Sequence, residues 1–185
     1  MRIRRIIQCL ALLAVALLCW WVPHYLKQPG IFNHKLLVAT DKMHNSPFDK
    51  SVILVLEQDS HGALGLVLNK PLGPGAPYAG GPNEQNAFYT LHTLDLSSKT
   101  TIKIAELNIG YTKGDTFMMM IGHMGDRPQE HMIFRGYMSW KRGQLPDEVT
   151  DGDWKAVKPT TALIFHTKSG DMWAAAMKLP EVRPE

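Results

Sequence analysis

Cysteine is almost absent from this 185-residue chain: the two present, Cys9 and Cys19, both lie in an apolar run near the N-terminus. Everything after that run therefore lacks an internal disulfide, a Cys-ligated zinc site and a thiol nucleophile. Excess charge is lacking as well. Residues 1–30 hold Arg2, Arg4, Arg5 and Lys27 and no acid, so 16 of the 20 Lys and Arg remain to face 17 Asp and Glu, a net charge of −1 for residues 31–185. A near-neutral domain is a poor start for nucleic-acid binding, where clustered cations supply most of the affinity, and a nucleic-acid partner is not expected. The chain has no Gly-x-Ser-x-Gly, no His-Glu-x-x-His and no paired-carboxylate motif. Gly62 and Gly65 are not spaced as a dinucleotide loop, and the prolines of residues 71–82 remove amide donors that a phosphate would need. No cofactor is implied.

A long hydrophobic run occurs once. Residues 6–22 are apolar except for Gln8, and as a helix they span about 25 Å, near the lower limit for crossing a bilayer. Three arginines precede the run, and Trp20, Trp21 and Tyr25 stand at its C-terminal end, where an interfacial aromatic belt would sit. A cleavable signal needs small residues after the apolar core, and a lipoprotein needs one before Cys19; the chain has Leu-Leu-Cys-Trp-Trp-Val-Pro there. The expectation is an uncleaved transmembrane anchor, with the arginines in the cytoplasm and the globular domain outside it; the alternatives are a processed export signal and a buried N-terminus. Residues 1–30 are then anchor and linker, and residues 31–185 one domain.

The remainder reads as short strands with few helices. Residues 35–39, 52–57 and 64–68 are strand-length runs rich in Val, Ile and Leu, the last two forming a hairpin across the polar turn at 58–62. Residues 71–82 form a loop, 87–91 a strand, and 131–137 a further strand. Thr112 to Asp115 has the form of a capping box opening a helix over 116–124. Pro146, Asp147 and Glu148 have the composition of a first helical turn. Residues 162–166 read as a last strand and 171–179 as a last helix stopped by Pro180. Because strands and helices do not alternate, the expected class is α+β: a mixed or antiparallel β-sheet with a few short flanking helices, plus the N-terminal transmembrane helix.

Several ordered blocks stand out in this frame. Leu36–Ala39 opens them, followed by Pro47 and Phe48, Ser51 and Val52. The next block holds Gly62, Ala63, Gly65, Leu66, Asn69 and Pro71. Gly80, Gly81 and Pro82 follow, then Leu91 and His92, Gly136 and Tyr137, Trp140, and Gly143, Gln144 and Leu145. In this order they resemble the YqgE/AlgH family of bacterial proteins, which carry a transcriptional-regulator label without a defined reaction; the resemblance implies that the anchor sits in a bacterial inner membrane with the globular domain in the periplasm. The chain departs from the family pattern at Gln58, where a histidine is usual, at Met138 and Ser139 in place of Ala-Gly, and at Pro146 in place of an acid.

The candidate recognition residues are Asn69, Gly80, Gly81, His92, Tyr137, Trp140 and Gln144, with no catalytic or metal-binding residue among them. Asn69, the 80–82 loop and residues 140–144 are expected on one surface, at the ends of apolar runs where loops carry polar function. The competing reading is structural: glycines for close backbone approach, Tyr137 and Trp140 as core, and amides that satisfy neighbouring turns. The methionines at 118, 119, 120, 124 and 132, with His123 and His131, have soft-metal donors, yet three consecutive methionines on a helix face three directions, which favours core packing. The functional expectation is a membrane-anchored, non-catalytic binding module with an unidentified protein or small-molecule partner. The alternatives are a transcriptional regulator and an enzyme built around Asn69, His92 and Gln144.

Overall fold

The computed structural model describes residues 31–114 and 127–182. Their strands are β1 (Leu36–Ala39), β2 (Val52–Gln58), β3 (Gly62–Val67), β4 (Tyr78–Ala79), β5 (Asn83–Thr93), β6 (Ile102–Ile104), β7 (Ile109–Lys113), β8 (His131–Lys141) and β9 (Trp154–Val157). Three short helices follow β8: α1 (Gln144–Thr150) before β9, then α2 (Thr161–His166) and α3 (Ser169–Met177). The strands make one sheet in the order β6-β7-β5-β8-β3-β2-β1-β9, with β4 beside β8. The neighbours along this order pair antiparallel; β4 and β8 are parallel.

The sheet curls. Tyr111 of β7 donates its hydroxyl hydrogen bond to Glu57 of β2, although β5, β8 and β3 lie between those strands. Burial and this carboxylate both push the Tyr111 phenol above its usual range. Thr161 Oγ1 closes the same gap by donating to the Leu107 carbonyl at 3.2 Å.

Both faces of the central strands are covered, which is why β1 and most of β2 read as unbroken apolar runs. Leu36, Val38, Val52, Leu54 and Leu56 face the concave core with Tyr89, Leu91, Ile109 and Phe134, under Leu163 and Ile164 of α2 and Met172 and Ala176 of α3. Leu37, Ala39, Ile53 and Val55 face the other way, onto Met138, Trp140, Trp154 and Leu145 of α1. Each fully buried Leu or Ile contributes about 2 kcal/mol by the area it removes from water.

Gly136 lets β8 serve both halves of the sheet. Residues 131–135 pair with β5 and 138–141 with β3, and between them Gly136 takes φ +70°. This left-handed residue shifts the alternation: Met132 and Phe134 face the concave core, whereas Met138 and Trp140 face the other.

Several expectations need correction. Residues 162–166 are helix α2, not a strand; Thr160 Oγ1 accepts the Leu163 amide at 3.1 Å as N-cap, which outweighs the β-like Leu-Ile-Phe composition. Thr112 caps no helix but sits buried within β7. α1 begins at Gln144 after Gly143, two residues before Pro146, and keeps Pro146 and Asp147 in its first turn. The 71–82 loop contains β4, and β6, β7 and β9 are strands beyond those the sequence predicts. Among the described residues no helix is long and apolar enough to cross a membrane. The anchor at 6–22, the helix at 116–124 and the methionines at 118–120 and 124 lie outside the described residues, while Met132 is in the concave core.

Candidate functional site

The groove of greatest interest lies on the convex face, beside α1. It has a volume of about 300 Å³ and is lined by Phe48, Asn83, Met138, Trp140, Glu148 and Trp154, with Met43, Pro82, Ser139 and Gln144 at its edges. Trp140 and Trp154 come from β8 and β9 and are 5% and 2% exposed. Leu145 anchors α1 over them, which turns Gln144 and Glu148, four residues apart on one helical face, toward the groove.

Glu148 organises this site. Its Oε2 accepts both indole N–H bonds, from Trp140 Nε1 and Trp154 Nε1, each at 2.8 Å. Its Oε1 accepts Gln144 Nε2, also at 2.8 Å. Gln144 Oε1 in turn accepts the Lys141 amide at 3.0 Å, which ties α1 to the end of β8. One carboxylate thus fixes two aromatic rings, a helix and the turn that precedes it, and both buried indole donors are satisfied.

The opposite wall depends on Asn69. Its Oδ1 accepts the Val52 amide at 2.9 Å and its Nδ2 donates to the Lys50 carbonyl at 2.8 Å. Lys70 Nζ donates to the Asp49 carbonyl at 2.8 Å. These bonds hold the 46–50 segment, where Lys50 adopts φ +53°, and place the Phe48 ring 6.2 Å from that of Trp154 at an interplanar angle of 58°.

The third wall is a backbone crossing. A Cβ on Gly80 would lie 2.3 Å from the Gly136 carbonyl oxygen, and one on Gly136 would lie 2.6 Å from the Gly81 oxygen and 2.7 Å from the Asn83 oxygen. Only residues without a side chain allow this approach. It delivers Pro82 and Asn83 to the groove, with Asn83 Nδ2 donating to the Tyr137 carbonyl at 3.2 Å.

Of the seven candidates, Trp140 and Gln144 line the groove directly. Asn69, Gly80 and Gly81 support its walls through backbone contacts. Tyr137 and His92 belong elsewhere. Tyr137 packs edge-on against Tyr89 in the concave core and donates to Glu84 Oε1 at 3.2 Å. His92 is buried within the sheet, with Nδ1 2.9 Å from the Thr93 carbonyl oxygen and Nε2 3.1 Å from Thr112 Oγ1. Desolvation holds its pKa below the usual 6.5. Sequence reasoning missed Glu148, Trp154, Phe48 and Asn83 as site residues. The four-residue spacing of Gln144 and Glu148 was the available signal for Glu148; the convergence of Trp140 and Trp154 on it had none.

These blocks are those of a bacterial family. A profile described as AlgH-like matches residues 36–185, and the chain belongs to that family, whose function is uncharacterised. A UPF0301 protein of Shewanella baltica (strain OS195) is 30% identical over 171 residues, covering 79% of this chain and 89% of the relative. A UPF0301 protein of Cronobacter sakazakii (strain ATCC BAA-894) is 26% identical over 170 residues, with 79% and 90% coverage. The fold resembles the solution structure of the AlgH protein from Pseudomonas aeruginosa, with a TM-score of 0.67 at 24% identity, covering 83% of this chain and 94% of that one. It also resembles the crystal structure of protein DIP2367 from Corynebacterium diphtheriae, with a TM-score of 0.66 at 19% identity and 82% and 88% coverage.

Proposed function

We propose that this chain is a membrane-anchored recognition module without catalytic chemistry, and that the groove beside α1 receives its partner. The observation that carries this reading is the engagement of Glu148. A general base must be poised against the proton it removes. This carboxylate is instead committed to two indoles and an amide, which makes it a fixed polar group on an aromatic floor. Concave apolar walls with a few placed polar groups are the usual composition of a binding site. The anchor follows from residues 6–22 and the arginines before them, and the balanced charge of residues 31–185 favours a protein or small-molecule partner over nucleic acid.

Two measurements test the two halves of this proposal. Alkaline phosphatase fused after Glu185 should be active and recovered with the inner membrane; an inactive fusion in the cytosol would refute the anchor. A photo-crosslinking residue at exposed Pro82 should give a discrete adduct in living cells that is absent with the same group at Lys103 on the sheet edge. Equal labelling at both positions would refute the groove as the recognition surface.

A further inference from the structure

We infer that the groove beside α1 takes a lysine side chain, a single alkylammonium group presented by a partner protein. This rests on reading the groove as a recognition site and names the chemistry it selects.

Charge is the first argument. Glu148 is the one ionisable side chain lining the groove, and all three of its hydrogen-bond donors are neutral. None of the ion pairs among the described residues includes it. Neutral donors stabilise the carboxylate without cancelling its charge, and a half-buried charge at the base of a concave wall is screened less than one in open water. The groove therefore presents an uncompensated negative charge to its occupant.

The geometry of the lone pairs then selects among cations. A carboxylate offers about four acceptor positions. The two indoles fill both positions on Oε2 and Gln144 fills one on Oε1, which leaves a single position on Oε1. A guanidinium group gains its advantage by engaging both carboxylate oxygens at once, and here the second oxygen is taken. An ammonium is a compact charge that needs only one acceptor.

The walls fit the rest of a lysine. Half-buried Phe48 supplies the accessible aromatic surface that favours a cation, above the nearly buried rings of Trp140 and Trp154, and half-buried Met43 supplies adaptable thioether surface for a methylene stem. At about 300 Å³ the groove is at the small end of ligand sites, suited to one side chain. Exposed Pro82 and Gln144 mark the mouth, where the backbone of an incoming peptide would lie.

The test uses the full chain in detergent with ¹⁵N-labelled tryptophan. Replacing Trp20, Trp21 and Trp173 by Phe identifies the two groove indoles by elimination. Nα-acetyl-lysine methylamide should shift both groove indole N–H signals saturably, with an affinity of about 1 mM. The arginine analogue should bind about tenfold or more weakly, and the Nε-acetylated lysine probe, which has the same stem and no charge, should leave both signals in place. Glu148→Gln should remove the response to the lysine probe. A response to the Nε-acetylated probe equal to that of lysine would overturn the proposal without requiring any variant to fold. So would a preference for arginine, a response unchanged by Glu148→Gln, or no shift of either indole. Equal binding of glycerophosphoethanolamine would replace a protein side chain with a lipid headgroup. Because the Pro82 crosslink does not depend on charge, an adduct there with no lysine response refutes this inference alone, whereas loss of the adduct refutes the site itself.

Discussion

Glu148→Leu should be among the most destabilising substitutions on the convex face. Leucine is one atom shorter and carries no acceptor; α1 keeps its packing through Leu145, but two indole N–H donors lose their partner. Trp140 and Trp154 are 5% and 2% exposed, which leaves their rings little room to turn toward water. A hydrogen bond to a charged group contributes about 1.5–3 kcal/mol, so two of them set a loss of about 3–6 kcal/mol. Water entering the open groove would partly replace Oε2, which places the expected value near the lower end, about 3 kcal/mol. For a chain of this size that corresponds to a fall in Tm of about 6–12 °C. Glu148→Gln retains one carbonyl oxygen and should cost about 1–2 kcal/mol. Urea unfolding of the full chain in mild detergent, followed by far-ultraviolet circular dichroism, measures both. A Glu148→Leu variant within 1 kcal/mol of the parent, or one more stable than Glu148→Gln, would refute the reasoning that this carboxylate secures the two indoles.

Gly136→Ala places a Cβ against the Gly81 and Asn83 oxygens at a φ of +70° and should cost about 3 kcal/mol or more. Gly75→Ala, also at +70° but with open space around it, should cost only about 1 kcal/mol, and equal losses at the two sites would refute the crossing as the cause. His92 has a folded-state pKa below its ordinary 6.5, so the unfolded chain binds the extra proton. Its contribution is therefore complete above pH 6.5 and is lost as the pH falls through the folded value; an NMR titration showing its ring protonated at or above pH 6.5 would contradict this. The full chain should bind mixed duplex DNA no better than weakly at low salt, and sub-micromolar affinity with a steep salt dependence would revive the regulator reading.

The parts of this fold legible in the sequence are those where local pattern and burial agree. β1 and β2 are strand-length apolar runs because a curled sheet with helices on both sides buries both their faces. The polar turn at 58–62 and the run that follows it mark the β2–β3 hairpin for the same reason. Where a segment is short, composition misleads. Residues 162–166 look like a strand, yet the Thr160 cap and packing against α3, which covers β1 and β2, make them helical. β6 and β9 have three and four residues, too few for periodicity to register, and exist because neighbouring strands supply their hydrogen bonds. The site divides in the same way. Ordered blocks identify the family and single out Asn69, Gly80, Gly81, Trp140 and Gln144, but their roles depend on what crosses them in space. Gly80 and Gly81 matter because Gly136, more than fifty residues later, passes within van der Waals distance. Glu148 becomes the centre of the groove because β8, α1 and β9 bring Trp140, Gln144 and Trp154 to its two oxygens. Linear spacing along a chain does not encode convergence of this kind; it arises when the sheet curls and its convex face is covered.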